Sequence, residues 1–253
     1  MNSYVVATTV FGCVFLASLV GMSLNAILPE THRTQASHDV IKLSTGMISV
    51  LASLVLGLLI ASVKGSFDTA DSQMRSFAAN LILLHQTLDD WGPETAKAHA
   101  LLRDYTARSI EDHWPAESDH SFVMENRASG NVLDATRLAI LQLIPNDPLQ
   151  HDLRESAVTL MNAVLQTRWL LIEHAESSIE PVFLMVLVAW ITLIFLSFGY
   201  NAPVNATVIV SFFICAGALA ACLFVIVEMD GPFDGVIAIS SQPMRNALAH
   251  MTP

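Results

Sequence analysis

Charge is what this chain is shortest of. Asp, Glu, Lys and Arg make up 14% of its 253 residues, where soluble domains carry roughly 25%. An ordinary soluble enzyme fits that composition poorly. The shortage is local: residues 1–63 hold two acidic and two basic side chains, residues 64–180 hold eighteen and nine, and residues 181–227 hold none. Positive charge is the scarcer sign, with 12 Lys and Arg against 23 Asp and Glu and a net charge of −11. That argues against nucleic acid as a partner, because no excess of basic side chains is available to neutralise phosphates. It also excludes a polybasic grip on anionic lipid. Cysteine is nearly absent, and Cys13, Cys215 and Cys222 all lie in apolar runs, which rules out a disulfide framework or a thiol-rich zinc site. No nucleophile elbow, phosphate-binding glycine loop, zinc-hydrolase signature or dinucleotide fingerprint occurs. No enzyme activity, cofactor or resident metal is therefore expected.

Long apolar runs are what the chain does have. A spanning helix needs about 20 mostly apolar residues, and four stretches supply them: Tyr4 to Leu28, Leu43 to Val63, Pro181 to Tyr200 and Val204 to Val227. Proline opens the third at little cost, because its missing N–H would be unpaired in a first helical turn. The first run has no positive charge ahead of it and is too long for a signal-peptide core, so it reads as a retained anchor. The runs pair as two hairpins in a lipid bilayer, joined by Pro29–Lys42 and Gly199–Pro203. The middle segment and both termini then share one side. Lys64, Arg75, Arg168 and Arg245 flank the spans there, against Arg33 and Lys42 on the other side, which places the shared side in the cytoplasm.

The expected organisation is a first transmembrane hairpin over 1–63, a cytoplasmic helical bundle over 64–180, a second hairpin over 181–227 and a cytoplasmic tail over 228–253. In the bundle, Phe67, Ala70, Met74, Phe77, Leu81, Leu84, Leu88 and Trp91 follow a 3-4 spacing, the seam of a packed helix. That helix continues the second span and ends at Trp91-Gly92-Pro93. A second helix runs from Pro93 to before Pro115, with Leu101, Leu102, Tyr105, Ile110 and Trp114 apolar. Residues 115–129 read as a loop, and a third helix covers about Val132 to Ile144. Asp147-Pro148 opens a fourth as an N-cap followed by proline. Its seam is Leu149, Leu153, Ala157, Leu160, Val164 and Leu171, and it is expected to run on into the third span. No run alternates like a strand. The fold class is all-α, with a four-helix bundle between the hairpins. Such bundles build dimetal sites from Glu-x-x-His pairs, and none is present.

The second span is the most patterned segment. Thr45, Ser49, Ser53, Gly57 and Ala61 recur at every fourth position, opposite Leu51, Leu54, Leu58 and Leu59. Small residues let helix backbones approach closely in lipid, so the ridge reads first as a helix–helix contact. It reads also as a hydroxyl-bearing wall of a narrow aqueous path repeated around an oligomer. No ionisable residue lies deep in any span, which disfavours an ion-coupled transporter but not a channel. After the fourth span, Glu228, Asp230 and Asp234 with a Gly-Pro turn are candidate cation ligands, although their spacing is not that of an EF-hand and a solvated helix stop explains them. His32 and His38 are too loosely spaced for a metal site. His85 and His174 read as surface or core residues of the bundle.

Two segments carry a resemblance. One is Asp39–Ile48 (DVIKLSTGMI) continued by Leu56–Asp68 (LGLLIASVKGSFD). The other is Glu228–Ile237 (EMDGPFDGVI) with Ser241–Arg245 (SQPMR) following. Together they resemble the bestrophin-like domain family of bacterial membrane proteins. The resemblance implies a remote relation to bestrophins, which are pentameric anion channels with four spans and a helical cytosolic region. The pore aromatics of bestrophins have no counterpart on this second span, which contains no Phe. The acidic stretch Glu228–Asp234 stands where animal bestrophins carry a calcium clasp. The function expected is a homo-oligomeric ion channel or channel-like pore lined by the second span, with inorganic ions as its cargo. The alternative is a non-conducting signalling or scaffold protein whose bundle binds a partner. The resemblance implies anions, and a pentamer, whereas the acidic middle segment would concentrate cations.

Overall fold

The computed structural model describes residues 2–27, 35–114, 127–174, 179, 181–233 and 235–251. Among these it is all-helical: α1 (Ser3–Ile27), α2 (Gln35–Trp91), α3 (Ala96–His113), α4 (Arg127–Leu141), α5 (Pro148–His174), α6 (Pro181–Asn201), α7 (Ala206–Met229) and α8 (Gln242–His250). The chain divides into two compact units, Met1–Gly65 with Ser177–Asp230, and Ser66–Glu176 with Gly231–Pro253. Helix α2 contributes residues to both.

Four helices are long and apolar enough to cross a membrane: α1, α2, α6 and α7. Three match the expected runs to within a few residues. Helix α2 is a single helix of 57 residues, so the second span and the first bundle helix are continuous, as their sequence suggested. A bilayer span uses about 20 of those residues.

In the first unit, α1 packs along α6 and α7. Val10 and Val14 of α1 share a buried cluster with Leu187 and Ile191 of α6 and Ala216 and Leu223 of α7. Helix α2 joins α6 through polar contacts near one end: Thr45 Oγ1 lies 2.6 Å from Ser197 Oγ, and the His38 Nδ1–H donates to Asn201 Oδ1 at 2.7 Å. The Phe195 and Phe212 rings tie α6 to α7 with centroids 6.2 Å apart. Asn205 caps α7 by accepting from the Val208 N–H at 2.8 Å, which satisfies a donor that the first helical turn leaves open. Large apolar side chains stay exposed on the outer surfaces of these helices, among them Leu16, Met47, Leu54, Phe183 and Ile214. In lipid that exposure carries no penalty.

The second unit has a conventional apolar core. The α2 seam is buried throughout from Ala70 to Trp91. Leu102 and Tyr105 of α3, Leu133 and Ile140 of α4, and Ala157 and Val164 of α5 close over it. Burial pushes the Tyr105 hydroxyl up to about 12, despite the opposing pull of Arg168. Helix α2 stops where its sequence says it should. Gly92 takes φ 119°, a conformation that favours glycine, and Pro93–Thr95 forms a 3₁₀ turn before α3. The buried Thr95 hydroxyl bridges the Leu88 carbonyl at 2.9 Å and the Gly92 carbonyl at 2.6 Å.

Three features differ from the sequence reading. Helix α4 starts at Arg127, inside the stretch read as loop, and ends at Leu141. Helix α5 does not run into the third span. Ile179 sits in a bend and its N–H donates to Asp230 Oδ1 at 3.2 Å. Pro181, lacking an N–H, opens a new helix. The stretch read as a tail is packed: Phe233, Ile239, Met244, Ala247 and Met251 lie in the core of the second unit, and the Trp114 Nε1–H donates to the Ile239 carbonyl at 2.9 Å.

Candidate functional site

The small-residue positions of α2 do not share one environment. Steps of four residues on a 3.6-residue helix advance by about 40° each, so the line from Thr45 to Ala61 winds around the helix. Thr45 is buried against Ser197, Ser49 is half-buried, and Ser53, Gly57 and Ala61 are exposed in the single chain. A Cβ added at Gly57 would meet nothing within 4 Å. The face of α2 that packs inside the chain is a different one, Ile48, Ala52, Val55, Leu56, Leu59 and Val63. Of the four membrane-length helices, α2 has the smallest buried share, 11% of its most apolar stretch against 22–33% in the others. Leu51, Leu54 and Leu58 are exposed as well, so α2 presents both a small-residue face and a leucine face outward.

The Ser49 and Ser53 hydroxyls are oriented by the backbone of their own helix. Ser49 Oγ–H donates to the Thr45 carbonyl and Ser53 Oγ–H to the Ser49 carbonyl, each at 2.8 Å. A serine bonded in this way keeps its proton on the helix and turns its oxygen lone pairs outward. The exposed face therefore accepts hydrogen bonds and coordinates cations more readily than it donates to anions.

The acidic residues after the fourth span have separate partners. Glu228 is buried and accepts from the Ser3 hydroxyl of α1, and Asp230 accepts from Ile179. Both bonds hold chain segments that are distant in sequence. Asp234, the third candidate ligand, lies outside the described residues, as does His32. The described histidines behave differently from one another. His38 caps the α2–α6 contact, His113 is half-buried, and His85 meets His99 across the α2–α3 turn. The last pairing was not legible in the sequence, where His99 sits 14 positions from His85 without a motif.

No curated protein and no solved structure matches this chain. The family model described as the Bestrophin-like domain matches residues 12–244. That match includes α2, α6 and α7 whole, the greater part of α1 and most of the helical unit, so this membrane protein belongs to the bestrophin-like family.

Proposed function

We propose that the protein is a homo-oligomeric ion channel or channel-like pore of the bacterial inner membrane, in which the exposed small-residue face of α2 meets its copies around an axis. One observation carries this reading. Ser53, Gly57 and Ala61 are open in the single chain, on the least buried of the four membrane-length helices, and small faces of membrane helices exist to let other backbones approach. The outward lone pairs of Ser49 and Ser53, with 18 acidic against 9 basic residues in positions 64–180, support cations as the conducted species. The remote relation to bestrophins supports anions and a pentamer instead. A reversal potential under a salt gradient separates the two.

Planar-bilayer recording of Ser53→Leu, paired with size-exclusion of the same sample, tests the pore. Leucine is favourable in a membrane helix and Ser53 is exposed within the chain, so the fold survives the change. Added apolar bulk at a constriction favours dewetting. An intact oligomer with abolished current is the expected result. An intact oligomer with unchanged current would falsify Ser53 as a constriction. Silence of the wild type at every salt and voltage would favour the alternative, a scaffold whose helical domain binds a partner.

The same reading places the helical domain and both termini in the cytoplasm, supported by Lys64, Arg75, Arg168 and Arg245 near the span ends. In a cysteine-free background, Ser118→Cys in intact cells should resist an impermeant maleimide. Labelling from outside reverses the orientation.

A further inference from the structure

The turn between α2 and α3 assembles a group of metal-ligating side chains that no motif announces. Gly92 is the pivot, with His85 seven residues before it and His99 seven after it. His85 and Asp89 stand four apart on α2, and so share a face. The Nδ1 atoms of His85 and His99 are 2.8 Å apart, with the ring planes at 85°. His85 Nε2 lies 3.4 Å from Asp89 Oδ2, and His99 Nε2 lies 3.2 Å from Asp89 Oδ1. The two imidazoles are largely buried, whereas Asp89 is 61% exposed and forms the mouth. A cavity of about 440 Å³ opens beside them, lined also by Arg103 of α3, His250 of α8 and Met251.

Proton counting leaves a gap in this cluster. A bond between the two Nδ1 atoms needs one N–H and one lone pair. The ring that accepts keeps its proton on Nε2 and donates it to Asp89. The ring that donates, if neutral, has only a lone pair on Nε2, and that lone pair faces a carboxylate oxygen. Two electron-rich atoms are thus held 3.2–3.4 Å apart. Ligands around a tetrahedral zinc at about 2.0–2.1 Å are separated by about 3.3 Å, so the gap has the width of a ligand edge. The second ring supplies what metal sites ordinarily add around their ligands. Its Nδ1 fixes the tautomer of the first ring, and its Nε2–H holds the other carboxylate oxygen.

We propose that His85, Asp89 and His99, with His250 beside them, form a binding site for one divalent transition-metal ion. Imidazole with a single carboxylate is the donor set of zinc, nickel or cobalt rather than of calcium or magnesium, which take oxygen ligands. The ion would clasp α2 to α3 at their turn, with α8 within reach through His250. This inference does not depend on conduction.

The test uses the full chain in detergent, stripped with chelator and titrated with Zn²⁺ by calorimetry, with metal content measured after gel filtration. One Zn²⁺ per chain is expected. Replacing groups that merely orient metal ligands costs about 10–100-fold in affinity, so Asp89→Asn and His99→Ala should each weaken binding at least about 10-fold. His151→Ala, on α5, should leave it unchanged. Asp89→Asn keeps the side chain's shape at an exposed position, and circular dichroism confirms that each variant is folded. Zn²⁺ should also raise the melting temperature of the wild type and not that of the variants. A wild type that retains no zinc overturns the proposal. Equal zinc affinity in wild type, Asp89→Asn and His99→Ala overturns it too, as binding to surface histidines.

Discussion

Gly199 of α6 lies so close to Ser18 of α1 that a Cβ on it would overlap the Ser18 carbonyl oxygen. The relationship is reciprocal one turn along. A Cβ on Gly21 would collide with the Leu196 carbonyl oxygen and stand 2.8 Å from the Tyr200 nitrogen. These are backbone atoms of helices and cannot rotate aside. Helices α1 and α6 therefore approach so closely here that the absence of a side chain is a requirement of space. Gly199→Ala should lower stability by about 1–3 kcal/mol, as overpacking does. Thermal unfolding in detergent, with Gly57→Ala as the matched control in open space, measures it. Equal melting temperatures for the two variants would remove the glycine contact from the account.

Gly57 makes the opposite case. It has room within the chain, so Gly57→Leu should leave each protomer's melting unchanged. If copies meet on this face, the same substitution should dissociate them, because a leucine stands where a backbone must approach. Leu58, 63% exposed, should tolerate Leu58→Ala. Native mass spectrometry reads the oligomer directly, and equal oligomer yield from both variants takes this face out of the interface.

The C-terminal segment should behave as part of the helical core. Met244 is fully buried, and truncating such a side chain to alanine costs about 2–5 kcal/mol through lost burial and the cavity left behind. Trp114→Phe keeps most of the ring but removes the donor to the Ile239 carbonyl, a loss of about 1 kcal/mol. Urea unfolding followed by circular dichroism should place Met244→Ala well below Trp114→Phe. A Met244→Ala midpoint equal to that of the wild type would return the segment to a tail.

His113 should make the helical unit acid-sensitive. Burial pushes its imidazole below its ordinary value of 6.5, against the Ser109 carbonyl and Asp112, which raise it. The Nδ1–H donates to the Ser109 carbonyl at 2.6 Å. With the folded value depressed, the unfolded chain binds the proton first. Stability is then fully present above pH 6.5 and falls as pH drops below it, until the folded imidazole also protonates. His113→Gln should flatten that slope between about pH 6.5 and 5. Melting temperature against pH for the two proteins checks this, and parallel curves would assign the slope to other groups.

Much of this molecule is legible without coordinates, wherever one physical rule acts locally. Twenty apolar residues in a row can satisfy their backbone in lipid only as helix, so α1, α6 and α7 could be placed from composition alone. The 3-4 spacing from Phe67 to Trp91 and the Gly92-Pro93 stop determined the lower part of α2, because periodicity and a missing N–H act within a few residues. What only the tertiary structure decided depends on segments far apart in the chain. Small residues at every fourth position of α2 look like one ridge on paper, but the helical pitch carries Thr45 inward and Gly57 outward. The close approach of Gly21 and Gly199 needs two helices nearly 180 positions apart, and neither glycine stands in a repeating pattern. The seam of α8 is too short to declare itself against a core whose other walls lie a hundred residues upstream. His85, Asp89 and His99 meet because α2 and α3 reverse at Gly92. Side-chain chemistry is written in the sequence, but the distance between ligand atoms is set by how two helices fold back on each other.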